Sequence, residues 1–128
     1  MILCLDTSTP TCHVTMIDGE WRYDTNWESG RELAKGLLKF LEGELEFQEK
    51  TWSDISGLVV YKGPGSFTGL RIGITVFNTL SYANNWPIVG VTGDDWRQQG
   101  VDLLKKGKND EIVLPEYGAE ANITTPRK

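Results

Sequence analysis

The chain has 128 residues and a formal net charge of −5 at pH 7, with 39% hydrophobic and 10% aromatic residues. This length and apolar content predict one compact folded domain and exclude a disordered chain. The acidic balance argues against independent binding to nucleic acid, because nucleic-acid phosphates require a basic protein surface.

Three features of the sequence indicate a cytoplasmic protein. The opening MILCLDTSTP lacks the basic segment of a signal peptide, and no apolar run reaches the length of a membrane span. Cys4 and Cys12 lie in apolar runs without C-x-x-C spacing, which favours buried, reduced thiols. We therefore expect a cytoplasmic location and no membrane contact.

The first part of the chain predicts an antiparallel meander of three strands. Short β-like runs lie near residues 2–6, 11–17 and 20–27. Thr7 to Pro10 forms the first turn, and Asp18-Gly19 is a strong signal for a two-residue hairpin.

The next segment, SGRELAKGLLKFLEGELE, changes to helical spacing. One apolar stripe comprises Ala34, Leu38, Leu41 and Leu45, and a second beside it comprises Leu33, Leu37 and Phe40. An apolar face this wide predicts either deep burial or a stripe that meets a partner. Gly36 and Gly43 each cost a helix roughly 1 kcal/mol relative to alanine, a loss that is explained if another backbone comes close.

The remaining elements predict an α/β layout. ISGLVVY is typical of a central strand, and GLRIGITVFNTLSYANN is ambiguous by pattern but favours a helix by length, with Ser66 or Thr68 as its cap. PIVGV predicts another buried strand, and GDDWRQQGVDLLKKG a helix that begins at an aspartate cap. The order predicts a mixed five-stranded sheet with helices on its faces, a single ribonuclease-H-like lobe of the sugar kinase/Hsp70/actin (ASKHA) fold.

The glycine-rich stretch KGPGSFTGLRIG, residues 62–73, raises the question of phosphate binding. A G-x-G-x-x-G pattern that begins at Gly63 would need glycine where Thr68 stands, and a P-loop would need Lys and Ser or Thr after Gly69. Pro64 also removes one backbone N–H donor that a phosphate cradle uses. The sequence therefore does not predict a nucleotide-binding loop.

Several segments together resemble the TsaB (YeaZ-type) family. ILCLDTSTPTCHVTMIDG is similar to its opening strands, PIVGVTG to its next strand, and LPEYGAEANITTPRK to its closing P-x-Y segment. The most specific match is the motif loop, which comprises Gly63, Pro64, Gly65, Ser66, Phe67, Thr68, Gly69 and Arg71. The resemblance implies an N-terminal lobe over 1–96 joined directly to a C-terminal helix and tail over 97–128, with most of a second lobe missing, folded as one domain.

The resemblance also implies a function in bacterial tRNA threonylcarbamoyladenosine synthesis. It implies a non-catalytic scaffold that dimerises with TsaD through first-lobe helices and recruits the ATPase TsaE, with tRNA contacted only through the complex. The glycine loop would then allow close packing at the start of a helix. The resemblance leaves open whether the chain forms a homodimer when it is alone. We expect the interface to comprise Ala34, Leu38, Leu41 and Leu45 with Gly73, Phe77 and Leu80, where Gly36 and Gly73 let partner helices approach.

A catalytic alternative, a small ATPase or a peptidase of the same superfamily, finds little support in the residues. Asp6 occupies the place of a phosphate- or metal-facing aspartate, but we expect a structural role because a second lobe is largely absent. His13 lacks a ligand pattern around it, and Ser66 has the wrong spacing for a nucleophile elbow. We therefore expect no catalytic residue, no cofactor and no metal site.

The remaining candidates are surface residues. Lys62 and Arg71 flank the glycine loop and fit equally well a solvated rim or contacts with a partner or RNA backbone. Five tryptophans are many for this length, and an exposed one would indicate an interface. We also expect the tail from Leu114 to Lys128 to be docked on the first lobe or on a partner, since its apolar and β-prone residues are unusual in a disordered tail.

Overall fold

A mixed five-stranded sheet forms the centre of the computed structural model, which describes residues 1–116. The strands are β1 (Ile2–Asp6), β2 (Thr11–Asp18), β3 (Trp21–Glu28), β4 (Gly57–Tyr61) and β5 (Ile88–Val91), and their order across the sheet is β3-β2-β1-β4-β5. The first three strands are antiparallel, whereas β4 pairs with β1 and β5 in parallel. The predicted meander and the two predicted apolar strands are confirmed.

Three α-helices connect or follow the strands. They are α1 (Leu33–Phe47), α2 (Phe67–Asn84) and α3 (Trp96–Lys105), and 3₁₀ turns at Gly30–Glu32 and Trp52–Asp54 precede α1 and β4. The helical interpretation of the ambiguous segment is confirmed, and Ser66 caps it by accepting a hydrogen bond from the Gly69 N–H at 3.3 Å. Helix α3 begins after Asp95 at the N-cap position, as predicted, but the side chain of Asp95 makes no capping hydrogen bond.

The helices cover both faces of the sheet because strand side chains alternate between faces. Leu3 and Leu5 of β1 point to the face covered by α1 and α2, and Cys4 points to the face covered by α3. Cys4 and Cys12 are free and fully buried as predicted, and burial raises the pKa of each thiol to about 12. This arrangement has the ASKHA-like α/β fold that the sequence predicts.

The chain after α3 returns to the edge of the sheet. The side chains of Asn109 and Asp110 accept hydrogen bonds from the N–H groups of Ile88 and Gly90 at 3.1 and 2.9 Å, and Val113 is buried. At the start of the tail, the N–H of Glu116 donates to the Lys62 carbonyl at 2.7 Å. The rest of the tail prediction, for residues 117–128, lies outside the described residues.

No helix within residues 1–116 is both long and apolar enough to span a membrane. The division of the chain after residue 96 stays a prediction, although α3 packs directly against β4 and β5 of the lobe that precedes it.

Candidate functional site: the glycine loop and the α1–α2 groove

The glycine loop between β4 and α2 packs against the turn that follows β1. The Ser66 N–H donates to the Ser8 carbonyl at 2.8 Å, and the Thr7 hydroxyl donates to the Gly69 carbonyl at 2.7 Å. A methyl group at Gly65 would overlap Ser8, and one at Gly69 would overlap the Thr7 carbonyl oxygen. These glycines therefore allow two stretches of backbone to touch, and Thr7 and Ser8 fill the space beside the loop.

The charged residues that flank the loop differ in their surroundings. Lys62 is half-buried, and its backbone bonds to both Val91 and Glu116. Arg71 is exposed, with its guanidinium 5.4 Å from the centroid of the Phe67 ring. Contact of either side chain with a partner or RNA stays a prediction.

The aspartate and histidine that the sequence singles out lie opposite each other in the sheet. Asp6 ends β1 and accepts a hydrogen bond from the Ser8 N–H at 2.8 Å, and His13 is its register partner on β2. Across residues 1–116, no group of three or more histidine, cysteine, aspartate or glutamate side chains is placed to hold a metal ion. The Asp6 carboxylate thus holds the turn on which the glycine loop packs.

The structure divides the predicted partner interface and corrects most of it. Four of its members, Leu41, Leu45, Gly73 and Phe77, are buried inside the chain's own core. The α1 leucines that face the sheet are spaced four residues apart, at Leu33, Leu37, Leu41 and Leu45. The predicted α1 stripe includes Leu41 and Leu45 of this buried row, and only its other two members, Ala34 and Leu38, are exposed. Leu80 on α2 is half-buried.

The reasoning from glycines is also corrected. A Cβ at Gly36 would lie 2.7 Å from the Trp27 indole, and one at Gly73 would overlap the Thr7 side chain. Both glycines therefore accommodate side chains of the same chain. The lack of a side chain at each position is thus explained by contacts within the chain, without a partner helix.

An exposed groove lies between α1 and the first turns of α2. It has a volume of about 430 Å³, and its lining comprises Ala34, Thr68, Arg71, Ile72, Thr75 and Val76. Thr68 and Ile72 also line a neighbouring cavity of about 330 Å³ that reaches Pro10 and Leu33. Leu38, one turn after Ala34 on α1, is 51% exposed. We call this surface, the groove lining together with Leu38, the α1–α2 groove.

Sequence reasoning missed the α2 side of this groove. Ile72 and Val76 are spaced four residues apart, which was a usable signal for one helix face. The sequence does not single them out, because the helix that contains them is apolar on several sides.

Comparisons with known proteins place this geometry in a family. The family model described as TsaD, tRNA N6-adenosine threonylcarbamoyltransferase, matches residues 28–97. The Escherichia coli protein named tRNA threonylcarbamoyladenosine biosynthesis protein TsaB is 31% identical over 131 residues, which cover 94% of this chain and 56% of that protein. The TsaB of Bacillus subtilis is 51% identical over 67 residues, or 52% of this chain and 27% of that protein.

A solved structure agrees with the sequence matches. YeaZ from Pseudomonas aeruginosa has a TM-score of 0.67 and 30% identity, and the match covers 77% of this chain and 49% of that one. The chain belongs to the TsaB/YeaZ family. It spans about half the length of the curated TsaB relatives that it matches.

The match to the TsaD family model includes the glycine loop and the groove. The segment matched by the TsaD family model runs from the end of β3 through α1, β4 and α2. It therefore contains both walls of the α1–α2 groove.

Proposed function

We propose that this TsaB/YeaZ chain is a non-catalytic subunit in tRNA threonylcarbamoyladenosine biosynthesis that binds a TsaD partner at the α1–α2 groove. The observation that carries the proposal is this exposed, largely apolar groove between two helices of the described part of the chain. The curated TsaB relatives are named for the same biosynthesis, which supports the pathway.

The shape of the groove suits a partner helix. The α1 wall contributes the small side chain of Ala34. The α2 wall contributes the β-branched side chains of Ile72 and Val76. A helix that enters such a groove buries an apolar row with a spacing of three and four residues. Leu38 extends the apolar surface of the groove by one turn of α1 from Ala34, and Arg71 adds a positive charge to its lining.

The surroundings of Asp6 support a non-catalytic role for this chain. The Asp6 carboxylate holds the Ser8 N–H, and Thr7 closes against Gly69 where a bound phosphate would otherwise approach the loop. In this proposal TsaD supplies the transfer reaction in the cytoplasm. TsaE joins the pair, and tRNA reaches this chain only through the complex.

Reconstitution with partners from the same genome tests the proposal. The chain is co-expressed with TsaD, and the eluate from size-exclusion chromatography is analysed by light scattering. We expect a 1:1 complex, and threonylcarbamoylation of tRNA that requires this chain in addition to TsaD and TsaE. Separate elution of the two proteins, or full modification without this chain, would overturn the proposal. ATP hydrolysis by the purified chain alone would instead support the ATPase alternative.

A further inference from the structure

One edge strand of the sheet, β5, is covered by later residues of the chain, whereas the other, β3, is not covered by residues 1–116. At the β5 edge, Asn109 and Asp110 accept hydrogen bonds from Ile88 and Gly90, so residues after α3 cover the strand. The β3 edge has eight residues, pairs with β2 in unbroken register, and contains no proline or bulge. A long, regular, uncovered edge strand is a ready surface for pairing with another strand.

The backbone groups on the outer side of β3 have no partner within residues 1–116. The two-residue turn between Asp18 and Trp21 makes these residues a hydrogen-bonded pair, so the hydrogen-bonding direction alternates from there along β3. The N–H and C=O groups of Arg22, Asp24 and Asn26 therefore point away from β2. None of them takes part in a hydrogen bond with the described part of the chain.

The side chains of β3 are complementary to a second copy of the same strand. In an antiparallel pair centred on Thr25, Arg22 lies opposite Glu28 of the other copy, a pair of opposite charges. Tyr23 lies opposite Trp27, an aromatic pair, and Thr25 lies opposite Thr25. Each of these cross-strand pairs is of a stabilising type. The strands would form about eight inter-chain hydrogen bonds, two for each opposed pair of outward-facing residues.

We propose that β3 pairs antiparallel with β3 of a second copy about Thr25 and joins two sheets into one continuous sheet. The neighbouring registers are less favourable. A shift by two residues in one direction places Asp24 opposite Asp24, and a shift in the other direction places Asp24 opposite Glu28. Like charges in directly opposed positions destabilise a strand pair.

Helix α1 contacts the side chains of β3 and leaves the outer backbone groups of the strand open within residues 1–116. Its contacts include Phe40, which stacks on Trp27, Glu44, which accepts a hydrogen bond from the Tyr23 hydroxyl at 2.8 Å, and Phe47, whose ring centroid lies 6.4 Å from that of Tyr23. Beside Glu44 lies Gly43, where an added Cβ would meet no atom within 4 Å. The α1–α2 groove lies on the other side of α1 from β3, so the same chain can bind a partner there.

Engineered disulfides test the register directly. A non-hydrogen-bonded antiparallel pair has Cα atoms about 4.5 Å apart, within the range that a disulfide spans. Purified Thr25→Cys should therefore become a covalent dimer of twice 14.4 kDa under mild oxidation. Wild-type protein should stay a monomer on a denaturing gel, because both native cysteines are buried. Asp24→Cys is the register control and Tyr82→Cys, at a position 91% exposed on α2, is the collision control.

Both controls should link far less than Thr25→Cys. Equal linking of Tyr82→Cys, or preferential linking of Asp24→Cys, would overturn the proposal. Sedimentation of unmodified protein supplies a second readout, in which Arg22→Glu should weaken self-association about tenfold and Arg22→Glu with Glu28→Arg should restore it. A wild-type chain that sediments as a monomer at all concentrations would overturn the proposal, as would an Arg22→Glu variant that dimerises like wild type.

Discussion

Helix α1 presents two rows of apolar side chains that differ in surroundings although they share residue types. The inner row, Leu33, Leu37, Leu41 and Leu45, is buried against the sheet. The outer row, Ala34 and Leu38, is exposed beside α2. Leu41 has no exposed surface and Leu38 is 51% exposed. One row holds the lobe together and the other is available to a partner, and the same amino acid serves both.

Truncation of one leucine in each row should separate the two roles most strongly. We expect Leu41→Ala to lower the free energy of unfolding by about 2–5 kcal/mol, because it leaves a cavity between α1 and the sheet. Leu38→Ala should change the free energy of unfolding by less than about 0.5 kcal/mol, since a surface side chain makes few contacts in the folded chain. Urea denaturation followed by circular dichroism measures both. Equal losses would show that the two rows do not differ as described.

Replacing two helix glycines by alanine should change the stability of the chain by smaller amounts, and in opposite directions. At Gly73 a methyl group would overlap Thr7, and we expect a loss of about 1–3 kcal/mol from overpacking. At Gly43 the added methyl meets open space, so Gly43→Ala should stabilise the chain by up to about 1 kcal/mol through helix propensity. Thermal unfolding of the two variants should shift in opposite directions. A stabilised Gly73→Ala variant would contradict the close packing of the loop region.

Much of the fold could be predicted because its signals are local. The hairpin signal at Asp18-Gly19, the period change at α1 and the continuous apolar run of β4 each indicate an element within a few residues. The turn itself lies one residue later, at Gly19-Glu20, because Asp18 pairs with Trp21. The argument against a phosphate cradle in the motif loop is equally local, because it rests on Pro64 and on the lack of a lysine after Gly69.

The division of α1 into two rows could not be predicted because it depends on the neighbours of the helix. Both stripes have helical spacing, and the rotation of α1 about its axis is set by how its side chains fit the sheet and α2. Gly36 and Gly73 mislead for the same reason. A glycine in a helix indicates close approach, but the sequence does not tell whether the approaching group is Trp27, Thr7 or a partner.

Binding of TsaD to Leu→Glu variants tests the central claim, that the α1–α2 groove is the docking surface, most directly. Leu38→Glu places a charge in the α1–α2 groove, and Leu114→Glu makes the same change at a position 73% exposed in the segment after α3. Both variants should fold like wild type, because both side chains are largely in solvent. By isothermal titration calorimetry we expect Leu38→Glu to abolish TsaD binding, since a charge buried without a partner costs several kcal/mol. Leu114→Glu should bind like wild type. A folded Leu38→Glu variant with wild-type affinity for TsaD would contradict the claim.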